Sequence, residues 1–86
     1  MDFEYDPDKS ALNQDKHGVT FFDAQALWDD PHRVEVPART DDEPRWLIIG
    51  RIGENCYSAV ITYRSDRIRL ISVRRARKEE EAIYEG

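Results

Sequence analysis

The stretch from Asp66 to Arg75 constrains the fold more than any other part of the chain, because it alternates like a β-strand and carries four arginines. A period of two divides it into two faces, which are Ile68, Leu70, Ser72 and Arg74 on one side and Arg67, Arg69, Ile71 and Val73 on the other. Both faces are apolar at their centre, which predicts an interior strand covered on at least part of each face. The arginines lie toward the ends, where they either hold phosphate in a bidentate fork or only pair with carboxylates at the rim.

A helix is predicted near the start of the chain, after a short strand over residues 3–5. Asp6 is a good N-cap and Pro7 suits the first helical turn. The helix should run to about His17 and end at Gly18, since glycine readily adopts the left-handed conformation of a C-cap. Its low apolar content is typical of a helix that lies flat on a surface.

A second helix should begin at Thr20, with Asp23 three residues later in the place of a capping-box acid. It should end before Pro31, because the residue preceding a proline avoids the helical region. The apolar stripe that it is expected to bury consists of Phe21, Ala24, Leu27 and Trp28. Only Gly18 and Val19 separate the two helices, which predicts a sharply folded helical hairpin.

Three further strands are predicted before the opening stretch, over residues 33–37, 45–52 and 56–64. Tight turns at 53–55 and 65–66 make consecutive hairpins, so we expect an antiparallel β-sheet meander. A last helix should cover residues 77–84, with contacts from Ala82, Ile83 and Tyr84. The fold class is therefore predicted as α+β, in the order β-α-α-β-β-β-β-α, within one domain over residues 1–86.

Charge is unevenly distributed along this acidic chain, whose net charge is −5. Residues 1–44 carry a net −8, residues 45–78 a net +7 and the last eight residues a net −4. This pattern predicts a basic surface on the later strands. Overall acidity argues against indiscriminate nucleic-acid binding but is compatible with a local phosphate site.

Cysteine content and the absence of long apolar runs bear on location. One cysteine, Cys56, excludes an internal disulfide and a cysteine-based zinc site, as expected for a reducing compartment. No apolar run is long enough to span a membrane, and residues 1–4 lack the features of a signal peptide. We therefore expect a cytoplasmic location without membrane contact.

Residues along nearly the whole chain match the pattern of a known protein family. They are Phe3–Asp6, Lys9, Asn13, Lys16–Val19, Phe21, Ala24, Trp28, Asp30, Pro31, Arg45, Gly50, Ile68, Arg69, Ile71, Ser72, Arg74, Ala76, Glu80 and Tyr84. The most specific of them are the segment Lys16–Val19 and the last strand, which occur in order and at the family's spacing. Through these residues the chain resembles the BrnT family of type II toxins, which are small ribonucleases with a RelE-like fold.

The resemblance implies a toxin that cuts RNA and stops translation. It also implies neutralisation by a BrnA-type antitoxin, which carries a ribbon-helix-helix DNA-binding module and represses the shared operon. Toxin and antitoxin would form a two-plus-two assembly through the antitoxin dimer, without direct DNA binding by this chain. We expect an acidic or amphipathic segment of the antitoxin to bind the basic strand rim.

Two departures from the family pattern concern the last helix. Arg77 occupies a place usually held by Thr or Ser, so the helix should lack its usual N-cap, which is worth about 1 kcal/mol. The run Lys78–Glu81 is acidic where the family is usually basic. If this helix borders the RNA site, activity should be weaker or the antitoxin should dock differently.

Metal-free RNA cleavage needs groups that move protons and cations that stabilise the transition state. His17 is a candidate because histidine exchanges protons near neutral pH, although it equally suits a helix C-terminus. Arg69 and Arg74 are the expected phosphate clamps, but strict alternation places them on opposite faces, so either a bulge re-aims one or only one serves. Arg74 should be anchored at its base and free at its tip, unless it pairs with an acid such as Glu80.

Tyr84 could stack on a base or donate a proton, or could only pin the last helix to the sheet. Further candidates for holding phosphate are Lys16, Arg45, Arg51, Arg67 and Arg75.

We expect no cofactor and no metal. The acidic residues 41–43 could imitate a metal site, but we interpret them as a solvent-exposed loop. His32 is expected in a solvated loop, Cys56 is not expected to be a nucleophile, and Tyr57 and Tyr63 are expected in the core.

The residues alone leave a second function class open. A binding module that holds RNA or protein without cutting, stable only with its antitoxin, would use the same cations. A cleavage assay distinguishes this module from an enzyme.

Overall fold

Four consecutive strands pair antiparallel and a fifth joins them at the edge, in a computed structural model that describes residues 2–40 and 42–86. The sheet order is β1-β5-β4-β3-β2. The elements are β1 (Asp2–Glu4), α1 (Pro7–His17), α2 (Phe21–Ala24) continued by a 3-10 segment (Gln25–Asp29), β2 (Val34–Ala38), β3 (Arg45–Ile52), β4 (Asn55–Arg64), β5 (Arg67–Arg75) and α3 (Lys78–Glu85). The α+β class and the element order are as predicted.

Local capping sets the limits of α1. The Asp6 carboxylate accepts a hydrogen bond of 2.9 Å from the Asp8 N–H, and Pro7 is the first helical residue. Gly18 has a φ of 74° and its N–H donates to the Gln14 carbonyl at 2.8 Å. Both predicted ends of this helix are confirmed.

The second helix is shorter than predicted. Thr20 and Asp23 form the predicted capping box, in which the Thr20 hydroxyl accepts from the Asp23 N–H at 3.0 Å. After Ala24 the winding tightens into the 3-10 segment. Phe21, Ala24 and Leu27 are buried at a spacing of three residues, and this spacing matches the three residues per turn of a 3-10 helix.

The sheet is mixed. Strands β2 to β5 form the predicted antiparallel meander, but β1 pairs parallel to β5, with Asp2 opposite Arg67 and Glu4 opposite Arg69. β1 gives β5 a strand neighbour on its outer side along these residues.

A bulge in β5 changes which residues share a face. Val60 pairs with Ser72 while Ile61 pairs with Leu70, so Ile71 has no partner of its own in the register. Val73 therefore joins Ile68 and Leu70 in the buried core under the helices, and Arg74 points to the same side of the sheet as Arg69. Strict alternation was wrong beyond Ile71, and the alternative in which a bulge re-aims one arginine is confirmed.

The core lies between the helices and one face of the sheet. Phe3 packs edge-on against Trp28 with ring centroids 4.9 Å apart, and Tyr5 packs edge-on against Phe21 at 5.6 Å. The buried residues of this cluster are Val19, Phe21, Ala24, Leu27, Ile48, Ala59, Ile61, Ile68, Leu70 and Val73.

Three side chains expected in contacts are in fact exposed. Ala82 and Ile83 lie on the outer side of α3, and this helix instead contacts the rest of the protein through Glu80 and Tyr84. Tyr63 is also exposed, because it lies near the end of β4, and its hydroxyl donates to Glu35 at 2.8 Å. Tyr57 packs against the core as predicted.

Polar side chains, rather than apolar ones, attach α1 to the rest of the fold. The buried residues of α1 are Ser10 and Asn13. The Ser10 hydroxyl accepts from the Phe21 N–H at 2.9 Å. The Asn13 amide accepts from the Val73 N–H at 3.2 Å and donates to the Val73 carbonyl at 2.8 Å and to the Val19 carbonyl at 2.9 Å. Asn13 thus offers Val73 the same pair of bonds that a neighbouring strand would offer.

No helix in the described part of the chain is both long enough and apolar enough to span a membrane.

We expect Asn13→Asp to lower the free energy of unfolding by about 3 kcal/mol, because it removes the donor and sets a carboxylate against two buried carbonyl oxygens. Urea unfolding at neutral pH measures the loss. Gln14→Glu is the matched control, since it makes the same amide-to-acid change at an exposed neighbour and should stay within about 0.5 kcal/mol of wild type. Equal losses in the two variants would contradict the role of Asn13.

Candidate functional site

Most of the candidate arginines lie on the sheet face opposite to α1 and α2. We call this surface the arginine face and define it by Arg45, Arg67, Arg69 and Arg74. Thr62 of β4 lies between the arginines of β3 and those of β5. Thr62 lies opposite Arg69 in the register, and the bulge at Ile71 brings Arg74 to this side. The face therefore carries cations on β3 and along the length of β5.

Glu4 of β1 occupies one end of the arginine face. Its carboxylate lies 2.9 Å from the Arg69 guanidinium and 4.0 Å from that of Arg67. Arg69 is part-buried, whereas Arg67 is exposed. Arg69 therefore already has an anionic partner, and Asp2, opposite Arg67 in the register, adds a second carboxylate at this end.

Glu80 occupies the other end of the arginine face and pairs with Arg74 in a bidentate fork. The Arg74 Nη1 and Nη2 atoms donate to the two Glu80 oxygens at 2.7 and 2.8 Å. Glu80 also accepts from the Ser58 hydroxyl at 2.8 Å and from the Arg77 N–H at 2.9 Å. The prediction of an Arg74 tip that is free was therefore wrong, and the alternative pairing with Glu80 is the one observed. Arg77 itself makes no side-chain cap, as expected.

This network shifts the protonation equilibria of both partners. The hydrogen bonds from Arg74 lower the pKa of Glu80 to about 2, and burial opposes them only in part. The same bonds raise the pKa of Arg74. Glu80 is 7 % exposed, so the pair is largely withdrawn from water and contributes to stability as well as to charge.

Tyr84 of α3 is bound to Asp30, which follows the 3-10 segment. Its hydroxyl donates to the Asp30 carboxylate at 2.6 Å, and this bond, together with burial, raises the pKa of Tyr84. Burial tends to raise the pKa of Asp30, but the bonds from Tyr84 and from the N–H groups of Arg51 and His32 outweigh it, so the pKa is lowered. A raised pKa makes Tyr84 a poorer proton donor. Its bond to Asp30 instead attaches α3 to the rest of the protein.

The absence of a side chain at Gly50 allows this arrangement. A Cβ atom at Gly50 would lie 3.3 Å from the Asp30 carboxylate and 3.2 Å from Leu27. The close approach lets Asp30 accept from the Arg51 N–H at 2.9 Å.

Lys16 and His17 meet β5 at a small pocket of about 190 Å³. Ile71 and Ser72 at the bulge and Lys9 of α1 also line it. Both lysines and His17 are exposed. The residues that line the pocket thus include two lysines, a histidine and a serine, next to the strand that carries the arginines.

The remaining candidate cations lie apart from this pocket. Arg75 stands over the Tyr57 ring at 5.7 Å on the helical side of the sheet. The exposed Arg51 follows Gly50 at the end of β3. Arg45 begins β3, and its buried Nε atom has no hydrogen-bond partner within residues 2–40 and 42–86.

The structure therefore brings together Lys16 with His17, and Arg67 with Arg69, but it does not join all candidates in one cluster. Sequence reasoning missed the place of Lys9 in the pocket. Lys9 lies seven residues before Lys16, about two helical turns, and this spacing could have indicated a shared side of α1. No local signal connects Glu4 to Arg69 or Asp30 to Tyr84.

Several acidic and thiol groups have no part in this site. Burial raises the pKa of Cys56, in keeping with the prediction that it is not a nucleophile. In the expected acidic run, Asp41 lies outside the described residues, and Asp42 accepts a hydrogen bond from Thr40. No group of three or more metal-ligating side chains occurs within residues 2–40 and 42–86.

The Glu80 pKa predicts how stability changes with pH. A pKa held at about 2 against an ordinary 4.5 contributes about 3 kcal/mol that is present above pH 4.5 and is lost as the pH falls toward 2. Glu80→Gln should lower the free energy of unfolding at pH 7, and its difference from wild type should shrink in acid. Urea unfolding at pH 7, 4.5 and 3 measures the difference.

Glu79→Gln is the control for this experiment, because Glu79 is the exposed neighbour on the same helix turn. Its pH profile should follow the wild type. A Glu80→Gln profile parallel to that of wild type would show that the pair does not stabilise the fold.

Comparison with known proteins agrees with the resemblance noted in the sequence. A search of curated proteins gives no match. Residues 5–80 match the protein family described as "Ribonuclease toxin, BrnT, of type II toxin-antitoxin system". The match extends from Tyr5, before α1, to Glu80 in α3, and thus covers most of the chain. The chain therefore belongs to the BrnT family of ribonuclease toxins of type II toxin-antitoxin systems.

Proposed function

We propose that this chain is a toxin that cleaves RNA without a metal ion, inhibits translation by doing so, and uses the pocket between α1 and β5 as its reaction site. The observation that carries the proposal is that Lys9, Lys16, His17 and Ser72 line one pocket. These side chains combine positive charge with a group that exchanges protons, and the pocket they line borders β5, the strand that bears Arg69 and Arg74.

Cleavage in this proposal is an attack of the RNA 2′-hydroxyl on the adjacent phosphorus. His17 accepts the proton of that hydroxyl while the bond from phosphorus to the 5′ oxygen breaks. Water at this exposed site protonates the departing 5′ oxygen, so the products are a 2′,3′-cyclic phosphate and a 5′-hydroxyl. Lys9 and Lys16 stabilise the added negative charge on the phosphoryl oxygens.

The arginines serve the neighbouring phosphates rather than the bond that breaks. Arg69 lies two residues before Ile71 and Arg74 two residues after Ser72, which is roughly 7 Å on either side along a strand. Arg69 and Arg74 bind RNA only by sharing or exchanging their carboxylate partners, Glu4 and Glu80. Arg67, Arg45, Arg51 and Arg75 add long-range attraction for the RNA.

The finer family traits form part of the same proposal. They are a RelE-like fold with an N-terminal helical hairpin, a cytoplasmic location, and neutralisation by a BrnA-type ribbon-helix-helix antitoxin in a two-plus-two assembly. DNA contact in that assembly is made by the antitoxin alone. The family match supports an antitoxin partner in general terms, since type II systems pair a toxin with an antitoxin protein.

A second candidate function is a module that binds RNA or protein without cutting it. The observation that favours it is that three of the four expected catalytic side chains already form hydrogen bonds within the protein. Arg69 donates to Glu4, Arg74 to Glu80 and Tyr84 to Asp30. In that case the cations would bind phosphate only after losing these partners, and no cleavage would occur.

We expect purified protein to cleave single-stranded RNA in the presence of a chelator, and His17→Gln to slow this cleavage about a hundredfold or more. His32→Gln is the matched control, because His32 is also exposed but lies outside the pocket. Cleavage rates for the three proteins, with melting curves to exclude unfolding, are the measurement. Equal rates in both variants would remove His17 from the mechanism, and no cleavage by wild type would favour the binding module.

RNA affinity should fall as salt rises, with a log–log slope of roughly −2 to −4 from a few neutralised phosphates. Lys16→Gln should make the slope less steep by about 0.7, because one contact to a single-stranded phosphate is lost. Lys78→Gln is the control at an exposed lysine of α3 and should leave the slope unchanged. Fluorescence titration of a labelled RNA at several salt concentrations measures both, and a flat dependence for wild type would contradict the basic surface.

A further inference from the structure

A second concavity lies away from the proposed reaction pocket. It has a volume of about 700 Å³ and runs along the outer side of α2 and the 3-10 segment to the β3–β4 turn. Its apolar walls are formed by Phe3, Phe22, Trp28, Ile52 and Tyr57. We call it the aromatic groove.

Phe22 is the unusual residue of the aromatic groove. It is 69 % exposed, the highest value among the large apolar side chains that are exposed in the described chain. Its neighbour Phe21 is 1 % exposed and fills the core, so the fold does not need a second phenylalanine here. A single exposed apolar residue is ordinary, but one that borders a groove lined by four other large apolar side chains is typical of a docking site.

Charge restricts what the groove can hold. The charged residues that line it are Asp23 and Asp29, both exposed carboxylates. They repel the phosphates of RNA. A second copy of this chain is also disfavoured, because each copy carries a net charge of −5. The complementary occupant is a cationic, apolar segment of another protein.

We propose that the aromatic groove binds an amphipathic helix of the antitoxin, with large apolar side chains on one stripe and lysine or arginine beside it. This inference rests on the antitoxin partner of the proposed function. A helix presents apolar side chains at positions i, i+3, i+4 and i+7, and two or three of them fill a concavity of this size. Its basic residues meet Asp29 and Asp23 at the edge.

The groove differs from the basic strand rim at which an acidic antitoxin segment was expected. At that rim, Glu4 and Glu80 already pair with Arg69 and Arg74. The residues that line the groove include no such ion pair, and Arg75 lies over the ring of Tyr57, one of its lining residues. An antitoxin helix in the groove leaves the pocket between α1 and β5 uncovered by that helix.

Affinity for the antitoxin, taken as the protein encoded beside the toxin gene, tests the inference. Phe22→Ser should raise the Kd about thirtyfold or more, because an aromatic anchor in a groove is a typical binding hot spot. Ile83→Ser is the matched control, since Ile83 is 46 % exposed on α3, outside the groove. Both variants should fold and cleave RNA as the wild type does.

Asp29→Lys supplies the test of charge. It should weaken antitoxin binding, and the loss of affinity should be larger at low salt than at high salt. Asp15→Lys, the same change at an exposed position of α1, should leave the affinity unchanged. Isothermal titration of the five proteins at two salt concentrations provides all the affinities.

The outcomes separate this inference from the proposed function. Absence of binding by wild type would overturn the antitoxin partner itself, and with it this inference. Binding that is equally strong in wild type, Phe22→Ser and Ile83→Ser would overturn the groove as the docking site while leaving the partner in place. Loss of RNA cleavage in Phe22→Ser, or a wild-type dimer that Phe22→Ser dissociates, would assign the groove to RNA or to a second copy and would equally overturn it.

Discussion

The three-residue length of β1 leaves the outer edge of β5 without a strand partner beyond Arg69, and the side chain of Asn13 supplies part of the missing pairing at Val73. An unpaired strand edge is a template for association with other chains, so covering it with α1 also protects the fold. The contact fixes the position of α1 along β5. Lys9, Lys16 and His17 are consequently held at the bulge, although the helix has almost no apolar surface with which to pack.

Carboxylates organise the basic surface of this acidic protein. Glu4, Asp30 and Glu80 each contact a residue that the sequence suggested for RNA chemistry. In a chain of this size, unpaired arginines on one face would repel one another, and part-buried guanidinium groups need acceptors. The same pairing limits what an RNA phosphate can gain at Arg69 or Arg74, because it must compete with an existing ion pair. The exposed lysines of α1 are easier to reach.

Features determined by short-range chemistry could be predicted from the sequence. Asp6, Pro7 and Gly18 act on the residues beside them, and the ends of α1 follow directly. The bulge at Ile71 could be foreseen only as an alternative, because it depends on how β4 and β5 align over nine residues. The parallel pairing of β1, and the contact of Glu4 with Arg69 across 65 positions, depend on the completed fold. Ala82 and Ile83 appeared to be contacts because they are apolar, but α3 is attached by polar groups instead.

That mode of attachment has a thermodynamic consequence. α3 is held by the Arg74–Glu80 pair and by the bond from Tyr84 to Asp30, while its own apolar residues already face solvent. Detaching the helix therefore transfers little of its apolar surface into water, so the step carries a small heat-capacity change and a weak dependence on urea. Acid and salt, which act on charges, control this opening more strongly than heat does. We therefore expect α3 to open as a unit separate from the core, because it is held by polar contacts and not by apolar burial.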